Sequence, residues 1–204
     1  PEIMGWKKEG GLKAVLDLYP GLHCDVQVAD ENIHFDIDKP EDYLEMLERI
    51  RQYDIPTPAE CNAILDISGT AGNIRAHCRK VAEVAAAVSR ALAASGTIID
   101  IEAVQAGAIL HDVVREEPKH STAGARILRE FGFDHIADII EVHTELPRHK
   151  TSSLEAKIVF LADKFVRREE LVSIDERYSA SSRNYATTPE IAAIVQRRKE
   201  QALN

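Results

Sequence analysis

His111 and Asp112 stand directly after the apolar run Ala108-Ile109-Leu110, so an imidazole and a carboxylate close a segment built for burial. A buried carboxylate without a partner is costly, and a divalent metal ion is one compensation to look for. Two further residues raise the same question. His77 shares a helical stripe with Ile74, Cys78, Val81 and Val84, which turns its ring toward the core as either a hydrogen-bonded histidine or a ligand. Asp163 follows Ile158-Val159-Phe160-Leu161-Ala162, where a salt bridge, to an Arg for example, and metal ligation are the two ways to carry its charge.

The elements that must position these groups are helical from about Thr57 onward. Ile55-Pro56-Thr57-Pro58 marks a boundary, because closely spaced prolines interrupt a helix and favour extended chain. Thr57-Pro58-Ala59-Glu60 reads as a capping box, Asp100 as the cap of the helix that leads into His111, and Ser121 or Thr122 as the cap of the next. Long apolar stripes predict helices from about Asn73 to Ser95, from Asp134 toward His143, and from Ala156 to Val166. A last helix starts at Thr188-Pro189-Glu190, and the Ser-rich stretch 179–184 reads as a loop. Residues before 55 differ. Val26-Gln27-Val28 and Ile33 to Asp38 alternate as half-buried strands do, and Pro40 opens a helix carrying Tyr43, Leu44, Leu47 and Ile50. The predicted fold class is therefore mainly α, with a short α/β remnant of two strands and a helix at the N-terminal side.

The run Gly10-Gly11-Leu12-Lys13-Ala14-Val15, with Phe35-Asp36-Ile37-Asp38-Lys39-Pro40-Glu41-Asp42-Tyr43, resembles the C-terminal end of the molybdenum-cofactor nucleotidyltransferase family. Lys39 stands where that family has a capping Thr, and the family's Gly-rich nucleotide-binding loop is missing. The resemblance implies that residues 1–55 are a fragment of such an α/β domain with its linker, and the lack of an initiator Met, a leader and a cleavage site makes Pro1 read as a cut inside a longer chain.

His77, then His111-Asp112, then Asp163, each on or at the end of an apolar helix, resemble the HD-domain metal-dependent phosphohydrolase superfamily. The likeness extends through Lys119-His120 with Gly124-Ala125, Val142-His143 and Leu161-Ala162-Asp163-Lys164, so residues 56–204 are expected to form one helical HD-type domain. It implies a first metal ion on His77, His111, Asp112 and Asp163, and a second on His120 and His143, with Asp112 able to bridge them or to orient water. Nitrogen and carboxylate ligands without thiolate suit Mn, Fe, Co, Ni or Zn and choose poorly among them, so the expected cofactor is one or two divalent transition ions. The implied reaction is hydrolysis of a phosphate ester or anhydride in a nucleotide or related small phosphorylated metabolite by metal-activated water. A nucleotide-sensing module without turnover, attached to a nucleotidyltransferase, is the alternative. Basic residues near the ligands, Arg115, Lys119, Arg148, Lys150 and Lys164, are candidates for binding the substrate anion, with Lys164 and Arg148 preferred. His149 is a candidate general acid.

A formal net charge of -9 argues against a protein whose main task is neutralising nucleic-acid phosphates. No apolar run approaches membrane-spanning length. Cys24, Cys61 and Cys78 are scattered and odd in number, which indicates neither a disulfide framework nor a zinc finger and fits a cytoplasmic setting. A homodimer is compatible with the sequence.

Overall fold

Thr57, Asp100 and Ser153 each cap a helix start with a side chain. In a computed structural model that describes residues 9, 11–22, 24, 26–147, 151–185 and 188–203, α1 (Gly11–Leu16) and α2 (Pro40–Arg51) are followed by α3 (Pro58–Ile67) and the long α4 (Gly72–Ala94). Then come α5 (Ile101–Leu110), α6 (His120–Glu130), α7 (Asp134–Glu141) and α8 (Leu154–Lys164), with α9 (Ile174–Tyr185) and α10 (Pro189–Leu203) closing the chain. A two-stranded antiparallel ribbon, β1 (Val166–Arg167) with β2 (Glu170–Leu171), lies between α8 and α9. The protein is mainly α, as expected. Thr57 Oγ1 accepts the Glu60 amide while the Glu60 carboxylate accepts the Thr57 amide, which completes the capping box. Asp100 accepts the Ala103 amide and so starts α5.

Three expectations are corrected. The strands read at 26–28 and 33–38 do not form; Asp30 caps a 3-10 turn at Glu31–His34 instead, by accepting the Asn32 amide. Two short strands need neighbours to satisfy their outer amides and carbonyls, and a local Asx turn needs none. Residues 179–184 are part of α9 rather than a loop, because Ser is an acceptable interior helix residue once the flanks dock. Finally, α6 starts at His120 and not at a Ser121 or Thr122 cap; the residue before it, Lys119, sits in the left-handed region with φ 55° and makes no side-chain cap.

The core gathers around α5, which packs against α3, α4, α7 and α8. Ile64, Leu110, Leu128, Ile136, Ile139 and Ile140 are fully buried there. Gly107 lets α5 approach α7 and α8: a Cβ at that position would lie 2.8 Å from Ile139 Cγ2 and 3.5 Å from Val159 Cγ2. α2, in contrast, buries no residue, and Tyr43, Leu44 and Ile50 are exposed. Among the described residues no helix is long and apolar enough to cross a membrane.

Candidate metal centre

Five helices deliver the chemistry to one place. His111 and Asp112 are the first residues beyond α5 and are buried; His77 comes from the second turn of α4, and Asp163 is the penultimate residue of α8. His120 opens α6, and His143 lies two residues past α7 with no exposure. The four imidazoles form a continuous row, with ring centroids 5.3 Å apart from His77 to His111, 5.0 Å from His111 to His143 and 5.2 Å from His143 to His120.

Main-chain carbonyls fix three of the rings. His77 Nδ1 lies 2.7 Å from the Arg168 carbonyl, His111 Nδ1 2.8 Å from that of Ala108, and His143 Nδ1 2.6 Å from that of Ile140. A carbonyl only accepts, so each Nδ1 carries a proton, and Nε2 is the nitrogen each ring can offer to a ligand. Those Nε2 atoms converge on carboxylate oxygens, which also only accept. Asp163 Oδ1 is 3.2 Å from His77 Nε2 and 3.8 Å from His111 Nε2. Asp112 has two working faces: Oδ2 is 3.4 Å from His111 Nε2 and 3.9 Å from His77 Nε2, while Oδ1 is 3.3 Å from His120 Nε2 and 3.4 Å from His143 Nε2.

Two overlapping donor sets result: His77, His111 and Asp112 on one side and Asp112, His120 and His143 on the other. Donors bound about 2.1 Å from a common ion stand roughly 3.0–3.5 Å from each other, close to the separations seen. The Nε2 atoms of His111 and His143 are buried without any hydrogen-bond partner, an arrangement that costs free energy unless a cation or a proton sits among them. The donor set fits a divalent transition ion on each side of Asp112.

The HD domain family matches residues 74–168, a span holding all six of these residues. An uncharacterized protein from Methanocaldococcus jannaschii is 33% identical over 122 residues, which are 51% of this chain and 72% of that relative. The chain belongs to the HD-domain family. A tRNA (cytidine(56)-2'-O)-methyltransferase from Thermoplasma volcanium is 34% identical over 93 residues, 44% of this chain but only 26% of that protein. No solved structure matches the chain significantly. HD domains are typical of metal-dependent phosphohydrolases.

The electrostatics of this HD domain follow from burial working against dense charge. Burial opposes ionisation of Asp112, yet His111 and His143 hold its carboxyl well below the usual range. Asp163 is likewise held low, against burial, by Lys164, His77, His111 and Arg177. Burial disfavours charge on His111, but Cys78 and Asp112 together raise its pKa well above the ordinary value. Burial pushes His120 down to about 4 and lowers His143, despite Asp112, which favours the neutral, ligating form of both rings.

The basic residues separate by position. Lys164 is buried and donates to Asp163 Oδ2 at 2.6 Å and to the His143 carbonyl at 3.0 Å, so its ammonium steadies two ligand segments. A flexible cation beside a buried carboxylate pairs with it. Arg115 does face the site: its Nη1 lies 3.2 Å from both Asp112 oxygens and from His120 Nε2. Lys119 is exposed on the turn before His120. Arg148, His149 and Lys150 lie outside the described residues.

Sequence reasoning missed Arg177, whose Nη2 is 3.7 Å from Asp163 Oδ1 and whose Nη1 donates to the Val166 carbonyl, and it missed the Arg168 carbonyl that orients His77. Arg168 holds φ 58°, and with Lys119 it is one of two non-glycine residues with positive φ among those described; each adjoins a ligand histidine. A backbone conformation of this kind leaves no mark on residue type. A cavity of about 650 Å³ lies elsewhere, between segment 29–32, Tyr53 to Pro58 and the flanks of α4 and α5, and none of the six ligand candidates lines it. Its size is no reason to prefer it as the reaction site, since the convergent acceptors are at Asp112.

Proposed function

We propose that this HD domain hydrolyses a phosphate ester or anhydride bond in a small phosphorylated metabolite, with nucleotides as the substrate class to test first. The observation that carries the proposal is the pair of buried, unpartnered Nε2 atoms on either side of Asp112. His77, His111, Asp112 and Asp163 would hold one ion, with His120 and His143 serving a second through the other oxygen of Asp112. When bound, such an ion supplies Lewis acidity, acidifying a water and polarising a phosphoryl group. The chain's own residues do the rest. Lys164 fixes Asp163 and the backbone at His143, and carbonyls fix three of the four imidazoles, which pre-organises the donor set. Arg115 and Lys119 are exposed beside the donors, where cationic groups bind non-bridging phosphate oxygens. Arg148 and Lys150 are proposed for the same task on the grounds of sequence.

The division of the chain near residue 55 is also proposed. It is supported by the unburied apolar face of α2, which suits a helix completing a further α/β unit.

Elemental analysis of protein purified without chelator, followed by phosphate-release assays over nucleotides, cyclic nucleotides and dinucleoside polyphosphates with Mn, Co or Ni, tests the reading. Stoichiometric transition metal and hydrolysis, both lost in Asp112→Ala, are expected. Metal-free protein, or unchanged hydrolysis by Asp112→Ala, refutes it. Tight nucleotide binding without phosphate release would point to a sensor.

A further inference from the structure

The donor atoms of the second set already have a cation among them. Arg115 Nη1 lies 3.2 Å from Asp112 Oδ1, 3.2 Å from Asp112 Oδ2 and 3.2 Å from His120 Nε2. Two of the three residues that would grip a second ion, Asp112 and His120, are therefore engaged by one guanidinium nitrogen. Arginine does not lose its proton in proteins, so it cannot yield this place by titration, and it has to move.

It is free to do so. Its side chain is 46% exposed, it stands on the turn between α5 and α6, and its side-chain bonds are those to the site itself. Of the first donor set the guanidinium reaches only Asp112 Oδ2, while in the second set it touches both Asp112 Oδ1 and His120 Nε2. Lys164 takes Asp163 Oδ2 and leaves Oδ1 toward His77 and His111, while Arg177 stays 3.7 Å from Oδ1, anchored on the Val166 carbonyl.

Resting on the metal-dependent reading above, we propose that Arg115 and a second divalent ion compete for the Asp112 and His120 atoms. The side chain of Arg115 thereby decides whether this HD domain carries one ion or two. In the one-ion state the guanidinium neutralises the outer face of Asp112; with a second ion bound it is displaced toward the mouth, where a substrate phosphate is its natural partner.

Calorimetric titration of the chelator-treated full chain with Mn²⁺, checked by elemental analysis after desalting, reads this directly without substrate. Wild type is expected to take one ion tightly and a second at least about tenfold more weakly, since a nearby unit positive charge opposes a dication strongly even at protein-surface dielectric. Arg115→Met is expected to bind both with the second tightened by that factor, and His120→Ala added to it should return the stoichiometry to one. Arg115→Gln serves as the second variant, with circular dichroism confirming the fold. Equal second-ion affinity in wild type and Arg115→Met, or a single ion in both, overturns the competition while leaving the hydrolase reading intact. No ion in either protein overturns both.

Discussion

Replacing Asp163 with Asn in metal-free protein removes one charge while keeping the side chain's size, and strands the ammonium of Lys164. That ammonium is buried, and Asp163 Oδ2, 2.6 Å away, is its carboxylate partner; what remains is the His143 carbonyl at 3.0 Å and the Phe160 ring at 4.8 Å. Breaking a buried ion pair from one side typically costs about 3–5 kcal/mol. An independent ceiling comes from the alternative open to the lysine: shedding its proton at pH 7 costs about 4–5 kcal/mol relative to its unperturbed pKa. Burial already lowers the pKa of Lys164 while Asp163 opposes that fall, so the loss of Asp163 moves the system toward this ceiling. The expected destabilisation is thus about 3–4 kcal/mol, read from urea unfolding of chelator-treated wild type and Asp163→Asn. Adding Lys164→Met to Asp163→Asn removes the stranded charge and should recover at least half of the loss, although metal binding stays impaired. The reasoning fails if Asp163→Asn unfolds within about 1 kcal/mol of wild type, or if the double variant is no more stable than the single one.

Gly107→Ala tests the close approach at the heart of the helical core. Alanine favours a helix interior by about 1 kcal/mol, but its Cβ would meet Ile139 Cγ2 at 2.8 Å, so overpacking is expected to win with a net loss of about 1–2 kcal/mol in thermal or urea unfolding. A stabilised variant would show that α5 and α7 are less tightly apposed. Asp66→Asn probes the tie between the end of α3 and the start of α4, where the Arg75 guanidinium bonds Asp66 and the carbonyls of Leu65 and Thr70. The Arg75 hydrogen bond, opposed by burial, lowers the folded-state pKa of Asp66. Its stabilisation is therefore present above the unfolded carboxyl's pKa and lost as pH falls through the folded value. The melting gap between wild type and variant should be open at pH 7 and close in acid; a gap independent of pH refutes the assignment.

The parts of this HD domain legible in the sequence are those set by local chemistry. His77 announced its inward orientation through the stripe of Ile74, Cys78 and Val81, and Asp112 and Asp163 through the cost of placing a carboxylate beside apolar runs. Thr57 and Asp100 carried their caps in short-range patterns. What escaped depended on partners far along the chain. Nothing local shows that the ammonium of Lys164 also reaches the His143 carbonyl, 21 residues back. Arg177 reaches Asp163 only once α9 folds back, and the alternation in 26–38 spoke for strands that had no neighbours to pair with. The left-handed Lys119 replaced a side-chain cap that Ser121 or Thr122 had been expected to supply.

The carbonyls that orient His111 and His143 belong to Ala108 and Ile140, each three residues back in the final turn of its own helix. These carbonyls sit among the acceptors of a helix's last turn, and that of Ile140 takes the His143 amide as well, so here the last turn and the ligand ring are mechanically one piece. Fraying of α5 or α7 would tip the ring away from the donor set, and anything gripping the ring would hold the turn closed. Loading with an ion should therefore be visible as slowed amide exchange at the ends of these two helices, making hydrogen exchange a gauge of occupancy that needs no substrate.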